Sequence, residues 1–172
     1  MTNPETEIQE LDELEVAVRD IRAGVVTFDG CTGVGKTTLA MTISQRVGLP
    51  LVDLDDFINP NEGHFVEALQ ADQLSAKMAS ELARNAVVLV SGVCMREVLA
   101  RIRYPATLSV YVLRKTPMGL PGDWDCFYVE EGIEAQQDML ALYSELEFEV
   151  YAYHRGHRPR SSADIIFTRI AD

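Results

Sequence analysis

The sequence predicts an α/β fold: a parallel sheet with helices on both faces, in three layers. Three observations carry this. Short β-branched runs recur along the chain, separated by stretches with helical periodicity. One of these runs, Val87-Val88-Leu89-Val90, is apolar throughout, as a central parallel strand buried on both faces must be. The length of 172 residues, 47% of them hydrophobic, suits one core and no more. No repeat, low-complexity segment or linker divides it. The expectation is a single domain, with an acidic helical extension over 1–23 and a core over 24–172.

The elements follow in order. Residues 5–22 place Ile8, Leu11, Leu14, Val18 and Ile21 on one stripe with acids between, which predicts an amphipathic helix ended by Gly24. Val25 to Asp29 is the first strand. A glycine-rich loop follows, then a helix over 36–47 stopped by Gly48-Leu49-Pro50. Leu51 to Asp55 is the second strand. Residues 65–84 form a long helix with Phe65, Leu69, Leu74, Met78 and Leu82 inward. Val87–Val90 is the third strand and 94–102 a short helix. Thr107 to Leu113 is the fourth strand. Residues 116–126, with Pro117, Gly119, Pro121 and Gly122, are a loop. Residues 129–152 are a long acidic helix, and Ile165–Phe167 is a short fifth strand.

Charge and cysteine usage exclude several classes. Lys plus Arg is 15 against 27 for Asp plus Glu, a net −12, and since a duplex-binding protein needs a basic face, nucleic acid is not an expected partner. The apolar run Ala86–Met95 is half a membrane span and is broken by Ser91 and Gly92, so no membrane segment is expected. Met1-Thr2-Asn3-Pro4-Glu5 turns acidic at once and is expected to carry no signal peptide. Cys31, Cys94 and Cys126 are scattered, odd in number and in no metal-ligand spacing, and read as reduced thiols of a cytoplasmic protein. Positive charge gathers at Lys36 and at Arg155, Arg158 and Arg160, which points to a small anion held there. The acidic helices keep the chain soluble and offer a surface for a protein partner.

Gly30-Cys31-Thr32-Gly33-Val34-Gly35-Lys36-Thr37 matches G-x-x-x-x-G-K-[ST], the P-loop pattern, without a mismatch. It sits between a strand and a helix, the context the pattern requires. The glycines let backbone approach phosphate. The N–H groups of Gly30, Thr32, Gly33, Val34, Gly35 and the helix start through Thr38 point at the phosphates. Lys36 brings a full charge to the β- and γ-phosphates, and the Thr37 hydroxyl ligates Mg²⁺. The Asn-Lys-x-Asp and Asp-x-x-Gly motifs of a small GTPase do not occur, which leaves a small phosphotransferase.

The second strand ends Asp53-Leu54-Asp55-Asp56-Phe57, and ligands of open α/β sheets bind at that edge. Alternation puts Asp53 and Asp55 on one side and Asp56 on the other. A carboxylate there can take a proton from an attacking hydroxyl or hold water on Mg²⁺. The other role for these acids is to cap the following turn, with Asp56 the best placed.

These residues resemble the uridine kinase and nicotinamide riboside kinase branch of the P-loop kinases. The stretch Asp29–Ala40 looks like that family's opening, and Leu54-Asp55-Asp56-Phe57 like its strand-end element, whose first Asp is the general base. The resemblance thus gives Asp55 the base role, and implies ATP and Mg²⁺ as cofactors and a five-stranded sheet in the order 2-3-1-4-5. Val87–Val93 looks like the strand that ends in Glu-Gly in the family. Here that Glu is Ser91, which moves metal handling to Thr37, Asp55 and, through water, Asp53. The family's lid carries several arginines; the matching region offers Arg114 and Lys115, with Arg155, Arg158 and Arg160 to compensate. Pro121–Asp125, Tyr153-His154, Pro159 and Ala163-Asp164 resemble the stretches after the lid and before the last strand.

The expected activity is transfer of the ATP γ-phosphate to a hydroxyl of a small molecule, most like a nucleoside. The alternatives are a nucleotide-binding sensor or assembly subunit with little catalysis, and a kinase for a sugar or other hydroxyl. Lys36 and Asp55 are the catalytic candidates. Thr37 and Asp55 are the metal candidates, and Arg114 and Arg158 join the nucleotide site, Arg158 because it precedes Pro159. Asp53, Phe57 and Arg96 are assigned to the acceptor, in a pocket between the second strand, the 57–68 segment and the 116–126 loop. Trp124 is read as a loop anchor, and His154 and His157 as surface histidines rather than ligands.

Overall fold

Parallel pairing of six strands organises the chain in the computed structural model, which describes residues 6–59 and 64–171. Met1–Glu5, and residues 60–63 of the expected acceptor segment, lie outside the described residues. The strands are β1 Thr6–Ile8, β2 Gly24–Asp29, β3 Leu51–Asp53, β4 Val87–Ser91, β5 Leu108–Lys115 and β6 Ile165–Ile170. Their order is β1-β6-β5-β2-β4-β3, every pair parallel. This corrects the expected five strands in the order 2-3-1-4-5: an additional strand heads the chain, renumbers the rest and forms the edge beside β6.

That strand lies where a helix over 5–22 was expected. Glu7 explains the extended start. Its carboxylate accepts from Lys115 Nζ at 2.7 Å and from Thr168 Oγ1 at 2.7 Å, so it needs the sheet edge. The helical stripe is real but shorter: α1 runs Leu11–Arg19 with Leu14 and Val18 fully buried. It packs on α2 Lys36–Val47, where Arg46 pairs with Asp12 at 2.6 Å and Glu15 at 3.2 Å. The acids of α1 thus face the chain's own arginine.

Two long helices expected from periodicity are broken. The 65–84 stretch divides into α3 Phe65–Ala68 and α4 Ala71–Leu82. Leu69 is extended and bridges Ile58, and Gln70 N–H donates to the Phe57 carbonyl at 2.8 Å. Backbone pairing there outweighs continuation of the helix. After α5 Met95–Ile102, the 129–152 stretch divides among α6 Trp124–Glu130, α7 Gln137–Leu140 and α8 Glu145–His157. Buried Glu130 accepts from the backbone N–H groups of Arg160 at 3.0 Å and Ser161 at 2.8 Å, which ties α6 to the far end of α8. Gly132 turns the chain at φ +84°, and Ser144 with Glu147 makes a capping box that starts α8 afresh.

The core fills both faces of the sheet. Val26, Phe28, Leu89, Val110 and Val112 pack with Leu39, Ala40 and Ile43 of α2. Val25, Val88 and Val90 pack with Leu74 and Met78 of α4 and Val98 and Leu99 of α5. No helix among the described residues is long and apolar enough to cross a membrane.

Candidate active site

The site grows from the C-terminal ends of β2 and β3. β2 hands the chain to the loop at Gly30, and α2 begins at Lys36. Two glycines are required by shape. Gly30 has φ +145°, and a Cβ on it would lie 2.7 Å from the Val112 carbonyl oxygen. Gly35 has φ +88°, and its Cβ would lie 1.9 Å from the Arg169 guanidinium, which donates to the Gly35 carbonyl at 3.0 Å. Gly33 faces open space at φ +72°. A glycine cradle therefore opens onto the N-terminus of a twelve-residue helix, an anion-binding geometry.

Lys36 is buried and its Nζ donates to the Cys31 carbonyl of its own loop. Burial pushes its pKa down, against the pull of Asp29 beside it. Asp29 is itself buried, with Gly30 N–H at 2.8 Å and the Tyr153 hydroxyl at 2.5 Å donating to its two oxygens. Burial raises its pKa. The Thr37 hydroxyl lies 3.4 Å from that of Ser91, the residue that stands where the resemblance expects Glu.

Lys36, Thr37, Thr38, Thr32, Gly33, Gly35 and Asp55 line one cavity of about 320 Å³, closed by Phe65 and Leu146. A triphosphate fits this lining, because the loop offers glycine-bared backbone and one buried cation. The Thr37 hydroxyl and the Asp55 carboxylate are hard oxygen donors suited to Mg²⁺. A neighbouring cavity of about 270 Å³ is lined by Thr32, Gly33, Val34, Arg114, Lys115 and Asp123. Arg114 is thus brought to the loop, together with Asp123.

Asp55 reaches the cavity by a route other than strand alternation. The strand ends at Asp53, and Leu54–Phe57 is a 3-10 turn. Asp53, not Asp56, caps it, accepting from Asp55 N–H at 3.2 Å. Asp55 therefore stands at the cavity mouth. Partial burial and then the Asp53 charge raise its pKa, and Lys36 opposes them.

The other expected residues lie apart. Phe57 packs against the core around α4 and does not line the P-loop cavity. Arg96 donates to the Ser162 carbonyl at 2.7 Å and lines a separate cavity of about 620 Å³ between α5 and the 159–164 segment. That cavity is larger, but it holds no residue of the glycine loop. Arg158 is the left-handed cap of α8 and lines neither loop cavity. Arg155 pairs with Glu134 at 2.6 Å, and Arg160 sits 4.1 Å over the Phe127 ring and pairs with Glu131. Arg155 and Arg160 are therefore engaged by acids of their own neighbourhood, away from the glycine loop. Trp124 opens α6, half-exposed against Tyr128. His157 pairs with Glu97 at 2.9 Å near the surface, but His154 is fully buried, against expectation.

Sequence reasoning missed Arg169, Asp123 and the Thr37–Ser91 contact. Asp123 is in the Pro-Gly-Asp loop, and burial raises its pKa against the nearby Lys36 charge. Nothing local marks Arg169, since only the pairing of β6 with β5 carries it to the loop.

The shikimate kinase family model matches residues 32–97, from inside the glycine loop to the start of α5. No curated protein sequence matches the chain. Among solved structures, a possible uridine kinase from Bacillus stearothermophilus is similar, with TM-score 0.57 and 16% identity over 91% of this chain and 96% of that one. A sugar kinase from Janibacter sp. HTCC2649 aligns with TM-score 0.48 and 14% identity, over 86% and 85% of the two chains. A shikimate kinase from Bacteroides thetaiotaomicron aligns with TM-score 0.40 and 18% identity, over 84% and 86%. The glycine loop, the parallel sheet and the first of these likenesses agree: the chain has the P-loop kinase fold.

Proposed function

We propose that the chain transfers the γ-phosphate of ATP to a hydroxyl group of a small molecule, with a nucleoside as the favoured acceptor. One observation carries this reading: Lys36, Thr37 and Asp55 line a single cavity. The loop N–H groups and the N-terminus of α2 hold the phosphates, and Lys36 exchanges its Cys31 carbonyl for a phosphate oxygen. Thr37 and Asp55 are the groups that would hold Mg²⁺, which when bound offsets phosphate charge. Asp55 accepts the proton of the acceptor hydroxyl as that oxygen bonds to phosphorus and the bond to the ADP oxygen breaks. Arg114 and Arg169 supply cationic charge beside the loop. Three free thiols suit a reducing, cytoplasmic setting.

A second reading has its own observation. Ser91 presents a hydroxyl to Thr37 where a carboxylate would strengthen metal binding, and Arg155 and Arg160 are engaged elsewhere. That favours a nucleotide sensor, with the acidic helices as the surface toward a protein partner. The test is ADP release from Mg-ATP against a panel of nucleosides, sugars and polyols, with Lys36→Ala as blank. An acceptor that raises ADP release well above water hydrolysis supports the kinase and names its substrate. Tight ATP binding with no stimulating acceptor supports the sensor.

A further inference from the structure

Behind the glycine loop lies a group of side chains that phosphate transfer does not use. Cys31 of the loop, Cys126 of α6 and His154 of α8 bring their donor atoms within 4.8 Å of one another. Cys31 and His154 are buried and Cys126 is half-buried. His154 Nε2 lies 3.6 Å from Cys31 Sγ. His154 Nδ1 lies 2.7 Å from the Val150 carbonyl, so Nδ1 carries a proton and Nε2 is the nitrogen that meets Cys31 Sγ and the Tyr111 hydroxyl. We propose that Cys31, Cys126 and His154 form a Zn²⁺ site that ties the P-loop to α6 and α8.

The geometry carries the proposal. Tetrahedral zinc with bonds of about 2.3 Å to sulfur and 2.0–2.1 Å to nitrogen sets a thiolate and an imidazole nitrogen about 3.6 Å apart. That is the Cys31–His154 spacing. The same bonds set two thiolates about 3.8 Å apart, inside the observed bound. The hydrogen bond to Val150 is the outer contact that orients a ligating histidine. A cavity of about 240 Å³ is lined by Cys31 and Cys126 together with Asp125 and Tyr143, so both cysteines border one open space beside the loop.

Charge closes as well. Zinc takes both cysteines as thiolates and His154 as neutral imidazole, so the two thiolates cancel the dication. Thiols bind zinc only as thiolates, so uptake releases protons and strengthens with pH. Tyr111, whose hydroxyl lies 2.8 Å from Nε2, must yield that nitrogen to the metal.

The experiment uses the whole chain, purified under reducing conditions and dialysed against buffer with and without Zn²⁺. Metal content is read by elemental analysis, and Co²⁺ titration is read by thiolate charge-transfer absorbance and tetrahedral d–d bands. The expected result is about one Zn²⁺ per chain, a higher melting temperature with Zn²⁺, and release of protons to the buffer as each site fills. Cys126→Ser, which changes one half-buried atom, should weaken binding beyond the roughly 10–100-fold loss seen for outer contacts. Cys94→Ser, a thiol outside the group, should bind as the parent does. Metal retained equally by Cys126→Ser overturns the proposal. So does no retained metal, whether the thiols stay free or Cys31 and Cys126 join as a disulfide.

Discussion

The half of the molecule around β2, β3 and β4 and the half around α6, α7 and α8 are built by different rules. In the first, each feature follows from nearby residues: a glycine loop between strand and helix, apolar strands, a cap by Asp53 two residues before the N–H it accepts. In the second, the shape follows from polar groups that meet across long separations. Glu130 holds Arg160 and Ser161, Tyr153 holds Asp29, and His154 meets Cys31. The first half carries the glycine loop and Asp55, on which the proposed phosphate transfer rests. The second holds the glycine loop from behind.

Substitutions can break this division, and the largest effect belongs to the first half. Asp55→Asn should lower turnover by roughly 10²–10⁴-fold, the usual worth of general-base help, while ATP affinity stays near the parent value. Its pH profile sharpens the point. The raised pKa of Asp55 sets the acid limb of turnover above the position of an ordinary aspartate. Activity is full where the group is ionised and falls as pH drops through that value. A limb at the ordinary carboxylate position would remove Asp55 from the base role.

Lys36→Ala should weaken ATP binding by roughly 10–100-fold, the worth of a charged hydrogen bond, with little loss of melting temperature. Calorimetric titration reads the first and thermal unfolding the second. Glu130→Gln reverses that pattern. It weakens acceptance of two buried N–H bonds and should cost about 1–3 kcal/mol of stability with unchanged ATP affinity. Should ATP affinity fall in step with stability, the two halves are one unit. Ser144→Ala removes the capping box of α8 and should cost about 1 kcal/mol, seen in denaturant unfolding.

The same division explains what could be read from the chain. The loop from Gly30 to Thr37 was legible because its spacing is local and each residue type has one task. That Asp55 lies beside the loop was legible, but its route there was not, since capping by Asp53 ends the strand before alternation applies. The apolar stripe at Leu14 and Val18 was legible. The strand before it was not, because Glu7 is extended by Lys115 and Thr168, far along the chain. His154 shows no local sign of burial, and the arginines near it pair with acids that only the fold brings close. The Ser144–Glu147 capping box was written in the sequence and was hidden by the continuous helical period around it.

The edge strand carries a consequence in time. Thr6 pairs with Ile165, so β1 finds its sheet partner only in β6. Closing a chain loop of about 160 residues costs little more entropy than closing one half as long, but it is slow, and three residues repay it poorly. The sheet from β3 to β5 can assemble without β1, which joins after β6 is seated. In the folded ensemble the order runs backwards. β1 opens first, and its amides exchange hydrogen before those of β2 and β4 at the centre.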